Sequence, residues 1–290
     1  MILLLGGAGY VGSQYQHFFQ SRGISVAAPT RSSADYTRPE ILTDLVRHHR
    51  PRFLINCAGY TGKPNVDACE SHKASCLFGN AVFPGVVREV CEANHLPWGH
   101  VSSGCIYNGA KPDGGGFSEM DPPNFSFRSP PCSFYSGSKA LGEEVLEGAE
   151  NCWLWRLRIP FNHVESPRNY LTKVMRYERL LEATNSLSQL DEFVRATWET
   201  LEKETAPGVY NVTQPGAITT REVVECIETS GVMRKPWQFF ENETQFMAEA
   251  AITPRSNCVL DSSKLIATGI VLTPVREAVM QALKNWKALS

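Results

Sequence analysis

This 290-residue chain has no long run of one charge and no pair of cysteines two residues apart. The first absence removes the usual footprint of a nucleic-acid or membrane-surface protein: 28 Lys and Arg face 30 Asp and Glu, for a formal charge of -2. The second removes the common zinc and redox signatures. Nine cysteines is an odd count, scattered through segments that read as helices and strands, which suits reduced thiols in the cytosol better than a disulfide framework. His48 and His49 are adjacent, and His95 and His100 do not share a helix face, so no metal set has zinc-like spacing. The apolar opening MILLL lacks a basic leader and meets glycine after five residues, too short for a signal peptide or a membrane span. Without a secretory route, the Asn-x-Ser/Thr triplets at Asn124, Asn211 and Asn242 read as chance matches. A cytoplasmic protein acting on a small molecule is the expectation left.

What is present is a rhythm. Short apolar runs alternate with amphipathic stretches: ILLL then 11–22, ISVAA then 39–49, RFLINCA then 77–94, PWGHVSS then 134–149, and CWLWRLR. Strands separated by helices pair in parallel through right-handed crossovers, so the fold class is α/β, a Rossmann-like doubly wound sheet. After Pro160 the rhythm breaks; a helix is expected over 187–204 and a further strand in GVYNVT. We therefore expect a nucleotide-binding domain from 1–160 plus about 187–213, and a smaller, discontinuous substrate lobe from about 161–186 and 214–290.

LLLGGAGYVGSQY sets Gly6, Gly9 and Gly12 three apart, directly after the first strand and at the start of a helix. A pyrophosphate site needs this residue type, because the turn requires free φ, the backbone must approach the phosphates, and the helix N-terminus offers unpaired N–H groups. Tyr10 and Val11 complete the turn, and Ala58 and Gly59, closing the third strand, are placed on the cofactor side. The second strand ends without the acid that would hold NAD ribose hydroxyls. It carries Arg31 instead, a partner for a 2′-phosphate, which favours NADPH; NADH is the alternative if Arg31 is only a solvated surface residue.

FYSGSKALGEEVL places Tyr135 and Lys139 four apart, on one helix face. In company with a glycine turn and a strand ending Ser102-Ser103, the pair reads as a carbonyl-reducing site. Tyr135 donates the proton, Lys139 lowers the phenol pKa, and a serine hydroxyl holds the carbonyl oxygen. Strand alternation lets one serine face the cleft, and Ser103 is the expected one.

At these residues the chain resembles the extended short-chain dehydrogenase/reductases. The blocks INCAGYTGKPNVDACESHK, VSSGCIY, SFYSGSKA, SPRNYLTKVMRYE and TPRSNCVLDSSKL are similar to those of bifunctional nucleotide-4-keto-6-deoxy-glucose 3,5-epimerase/4-reductases. That family includes the C-terminal part of plant-type rhamnose synthases and is related to dTDP-4-dehydrorhamnose reductases. Leu5 departs from the threonine many extended members carry before the first glycine. The resemblance implies an NADPH enzyme that turns UDP- or dTDP-4-keto-6-deoxy-glucose into the nucleotide L-rhamnose. It also implies that Cys105 and Lys173 are the epimerisation pair. From composition alone the plainer reading is a small buried cysteine and a surface lysine. Asn80 and Arg255 are expected near the nucleotide sugar, Arg255 through a guanidinium that suits a diphosphate. Asp67, Glu70 and Lys73 are left between sugar contacts and helix capping. The 290 residues carry no second dinucleotide fingerprint, so a separate 4,6-dehydratase is the expected supplier of substrate, and a homodimer is left open. The rivals are a reductase without epimerisation, and a non-catalytic subunit like the regulatory beta subunit of methionine adenosyltransferase.

Overall fold

A computed structural model describes residues 1–63 and 65–288. Ile2–Leu5 (β1) is four buried aliphatic residues in a row, the pattern of a strand covered on both faces. It lies within a six-stranded parallel sheet with Val26–Ala27 (β2), Phe53–Asn56 (β3), Trp98–Ser103 (β4), Cys152–Leu157 (β5) and Gly208–Asn211 (β6). The order is β6-β5-β4-β3-β1-β2. The chain leaves β1 to one side and returns on the other as β3, and this reversal opens a crevice at the strand C-termini.

Helices cover both faces. Tyr10–Ser21 (α1) sends Tyr15 and Phe19 against Phe193 and Trp198 on one face; the Phe19 and Trp198 rings meet edge-on with centroids 5.0 Å apart. On the other face, Pro39–His49 (α2) contributes Leu42 and Val46, packed with Phe83, Val87 and Val90. A second apolar cluster lies apart from the sheet. It joins Leu171 and Val174 to Val223 and Ile227 of helix Thr220–Ser230 and to Val279 and Leu283 of helix Val275–Lys284. Among the described residues, no helix is long and apolar enough to cross a membrane.

Three expected helices differ from the observed ones, that over 134–149 only in ending at Val145. The stretch 77–94 is not continuous: Ala68–Ser71 (α3) and Lys73–Leu77 (α4) lead into a π-helical turn over Phe78–Val82, and only then does Phe83–Ala93 (α5) begin. Pro84 is the reason. It has no N–H for the Asn80 carbonyl four residues back, and its ring would crowd that carbonyl in an α-helix; a wider turn relieves both. The stretch 187–204 is helical only over Leu190–Glu202, because Ser188 is held as strand: its N–H donates to Arg158 O at 2.7 Å and its Oγ accepts the Arg158 N–H at 3.0 Å. Gln189 then caps the helix by accepting Glu192 N–H at 2.7 Å.

Candidate active site

The glycine turn is built for close approach. Gly6 sits at φ +76°, in the left-handed region, and a Cβ there would lie 2.6 Å from Ala58 N. A Cβ on Gly12 would lie 2.2 Å from Gly6 O, so only glycine lets α1 start this tightly against β1. No side chain caps the α1 N-terminus at Gly9, which leaves its first amides to an anion. Tyr10 and Val11 of the first turn pack back on the core, and the Tyr10 hydroxyl donates to Asn162 Oδ1 at 3.2 Å. The cradle thus fits a dinucleotide pyrophosphate.

Beyond β2, Arg31 is exposed and its charge acts on Asp35 and Tyr36. Tyr36 was not among the expected site residues. Burial pushes its phenol up while the Gly6 backbone, against which the ring lies, pulls it down. At the end of β3, Ala58 N–H donates to Asn56 Oδ1 at 3.0 Å, and a Cβ on Gly59 would lie 3.5 Å from the Lys139 ammonium.

Phe134–Val145 (α6) carries the Tyr/Lys pair. Its N-terminus is fixed twice: Ser133 Oγ accepts Ser136 N–H at 3.1 Å, and Glu70 Oε1 accepts Phe134 N–H at 2.7 Å. Glu70 is therefore a helix cap. Ser102 turns away from the cleft and donates to Glu143 Oε1 at 2.6 Å, whereas the half-buried Ser103 lies beside both Tyr135 and Cys105. Asn80, in the π-helical turn, spends its whole amide within the protein: Nδ2 donates to Tyr60 O at 2.8 Å and Ser138 Oγ at 3.0 Å, and Oδ1 accepts Tyr60 N–H at 2.9 Å. It braces the wall behind Lys139.

Lys139 is not among the groups that move the Tyr135 phenol. Burial pushes the phenol well up, the Cys105 thiol adds to this, and the Ser103 hydroxyl opposes. Lys139 is itself pushed down by burial, with Cys105 and Glu143 opposing. Burial is thus the largest influence on both groups.

Cys105 is 5% exposed and packs among Tyr135, Tyr107, Phe117 and Leu260. Burial raises its thiol; Ser103, Arg158 and Lys139 lower it. Lys173 lies on Tyr170–Arg176 (α7), half-buried, its ammonium pushed down by burial and by the cations Arg168 and Arg255. No hydrogen bond joins Lys173 to Cys105, so the expected thiolate–ammonium pair is not a direct contact. Arg255 is held by Asp67, through bonds of 2.6 and 2.7 Å. Arg158 was also missed, although an arginine closing the apolar run CWLWRLR was a visible signal.

A parallel sheet with a glycine turn after β1, and with serine, tyrosine and lysine gathered beyond the strand ends, defines an extended short-chain dehydrogenase/reductase. The family model for the RmlD substrate binding domain matches residues 1–288, and the chain belongs to that family. It is 33% identical over 284 residues to a bifunctional dTDP-4-dehydrorhamnose 3,5-epimerase/dTDP-4-dehydrorhamnose reductase of Arabidopsis thaliana, covering 96% of this chain and 91% of that protein. It is 34% identical, over 91% of its length, to a trifunctional UDP-glucose 4,6-dehydratase/UDP-4-keto-6-deoxy-D-glucose 3,5-epimerase/UDP-4-keto-L-rhamnose-reductase of the same plant, and spans 39% of it. Among solved structures, the L780 UDP-rhamnose synthase from Acanthamoeba polyphaga mimivirus superposes with a TM-score of 0.89 at 22% identity, covering 98% of both chains. A dTDP-4-dehydrorhamnose reductase from Bacillus anthracis, in complex with NADP, has a TM-score of 0.81 at 18% identity over 98% of this chain and 97% of that one.

Proposed function

We propose that this chain is an NADPH-dependent nucleotide-sugar 3,5-epimerase/4-reductase that converts UDP- or dTDP-4-keto-6-deoxy-glucose to the nucleotide L-rhamnose. The observation that carries this reading is the cluster of Cys105, Ser103, Tyr135 and Lys139, which sets a thiol against a carbonyl-activating set. Relatives with both activities in their names, at 33% and 34% identity, support it.

Gly6, Gly9, Tyr10, Val11 and Gly12 would hold the pyrophosphate, Arg31 the 2′-phosphate, and Ala58 and Gly59 the neighbouring face of NADPH. When bound, NADPH supplies the hydride. The protein's own contribution is proton and charge handling at the sugar C4 oxygen. Tyr135 donates its proton there, Ser103 donates a hydrogen bond, and Lys139 places a positive charge where the alkoxide develops.

Epimerisation uses the same oxygen. The C3 and C5 hydrogens flank the carbonyl, so removing either sends the C–H electron pair to the C4 oxygen as an enolate, which Tyr135 and Ser103 hold. A base on one face and an acid on the other complete the inversion, roles for Cys105 and Lys173. Residues 161–186 and 214–290 would form the substrate lobe, with Asn80 stiffening the pocket wall and Arg255 near the nucleotide diphosphate. A 4,6-dehydratase activity would make the substrate, and the cytoplasm is the compartment that fits reduced thiols and NADPH.

A reductase without epimerisation is the second reading, favoured by the absence of a direct Cys105–Lys173 bond. One experiment separates the two: NADPH and UDP-4-keto-6-deoxy-glucose in D₂O, followed by NMR. Deuterium at C3 and C5 of an L-rhamnose product, lost in Cys105→Ala, is the expected result. NADPH oxidation without exchange would leave the simple reductase, and no reduction of any 4-keto sugar would leave a non-catalytic subunit.

A further inference from the structure

Arg158 is a buried cation to which the fold gives no carboxylate. Two residues earlier, Arg156 is paired with the Glu143 carboxylate, with hydrogen bonds from Nε and Nη2 as short as 2.7 Å, although its buried Nη1 meets no acceptor. Arg158 is as buried, at 5% exposed, yet Nη2 donates only to Asn185 Oδ1 at 2.6 Å and to the Ser256 carbonyl. Its Nε is buried and meets no acceptor, and no acidic side chain pairs with the guanidinium among the described residues. A desolvated charge without a counter-ion is costly. Such a cation fits a site where an anion forms during the reaction.

The register shows which anion. Ser103 of β4 pairs with Leu157 of β5, so the residues that follow the two strands, Gly104 and Arg158, leave them side by side. A Cβ on Gly104 would lie 3.5 Å from Arg158 Cδ, and Cys105 follows directly. The groups that act on the thiol are Ser103 from the end of β4, Tyr135, Ser136 and Lys139 from α6, Cys69 from α3, and Arg158, which also acts on the neighbouring Cys258. Two of these are cations. Lys139 also reaches the end of β3 beside Gly59 and is pushed down by burial, whereas a guanidinium keeps its charge at any physiological pH.

We propose that Arg158 is the positioning cation of the epimerisation, holding Cys105 as the thiolate that takes a proton α to the substrate carbonyl. In that step the C–H bond breaks, an S–H bond forms, and the electron pair passes to the C4 oxygen. The inference rests on the epimerase reading. Burial opposes the thiolate, and Arg158 stands with Ser103 among the groups that favour it.

The test uses the full chain and Arg158→Met. Iodoacetamide labelling of Cys105 across pH, read by peptide mass spectrometry, reports the thiolate without substrate; D₂O wash-in at C3 and C5 reports the reaction. We expect the labelling midpoint to rise by about one unit or more. Wash-in should slow about tenfold or more, and by a larger factor than reduction of a pre-epimerised 4-keto sugar. Arg158→Lys should restore part of both. If the Met variant does not fold, Arg158→Gln removes the charge while keeping donors for Asn185 and Ser256. An unchanged midpoint in the charge-free variant overturns the proposal. A shifted midpoint in a protein whose wild type never exchanges at C3 or C5 sinks the epimerase reading, and with it the catalytic role.

Discussion

The Arg255 guanidinium grips the Asp67 carboxylate with two hydrogen bonds, of 2.6 and 2.7 Å, across 188 residues of sequence. The pair ties the loop before Cys258 to the turn entering α3, and α3 in turn caps α6 through Glu70. A contact between distant segments, with side chains 21% and 14% exposed, stabilises the site's frame more than a surface pair would. Asp67→Ala should therefore cost about 1–3 kcal/mol in urea denaturation, and an Asp67/Arg255 double-mutant cycle should show coupling of about 0.5 kcal/mol or more. A cycle that closes to zero would make the pair incidental. A KM for nucleotide sugar that rises in Arg255→Ala, but not in Asp67→Ala, would give Arg255 a diphosphate role besides.

Gly12→Ala puts a methyl 2.2 Å from the Gly6 carbonyl oxygen. Backbone meets backbone there, so the α1 start must move away from the turn. We expect NADPH affinity to fall about a hundredfold, read by nucleotide fluorescence, because the amides that face the pyrophosphate move with the helix. Unaltered affinity would mean the pyrophosphate does not lie on this turn.

Tyr135 is pushed up by burial, above the ordinary phenol value of 10.0. A donor with a raised pKa stays protonated as pH rises, so the alkaline limb of the reduction profile should remain flat to at least about pH 9. Tyr135→Phe should lower kcat by about a hundredfold or more with NADPH binding retained. A wild-type rate that falls with a midpoint near neutrality would instead restore the Lys139-tuned phenolate.

Glu143 is the counter-ion of Arg156, their side chains 10% and 5% exposed, and it also accepts the Ser102 hydroxyl. Removing one partner leaves the other charge buried. Glu143→Ala should destabilise by about 3–5 kcal/mol, and replacing both with Leu and Met should recover much of that loss. If the single variant costs less than about 1 kcal/mol, water reaches the guanidinium and the pair is not structural.

Why some of this was legible and some was not follows from the range of the interactions. The α/β rhythm and the glycine turn are local, since ILLL and GGAG each carry their own instruction. The break at Asn80 was also local, because Pro84 announces it, but an amphipathic pattern running through a proline reads as one helix. The roles of Asp67, Glu70 and Arg158 depend on partners 64 or more residues away, or, for Arg158, on a missing carboxylate. Sequence spacing holds no record of such distances. The burial of Tyr135 is hidden for a related reason: YxxxK shows the lysine and not the surroundings.

Lys139 carries the last prediction, in which stability and activity part. Burial lowers its ammonium below the ordinary 10.5, and Cys105 and Glu143 only partly oppose this. With the folded-state pKa below the unfolded one, the unfolded chain binds more protons in the window between them, so stability rises with pH through that window. Below the folded-state pKa the desolvation cost is paid in full. Lys139→Met removes the charge but keeps most of the stem, so it should melt no lower than wild type near neutral pH, and its advantage should shrink as pH climbs toward 10.5. NADPH turnover should meanwhile drop about a hundredfold or more. A Met variant that melts several degrees below wild type at neutral pH would show that Glu143 and the neighbouring thiols hold the ammonium more strongly than burial expels it. Lys139 would then belong to the fold's stability as well as to its chemistry.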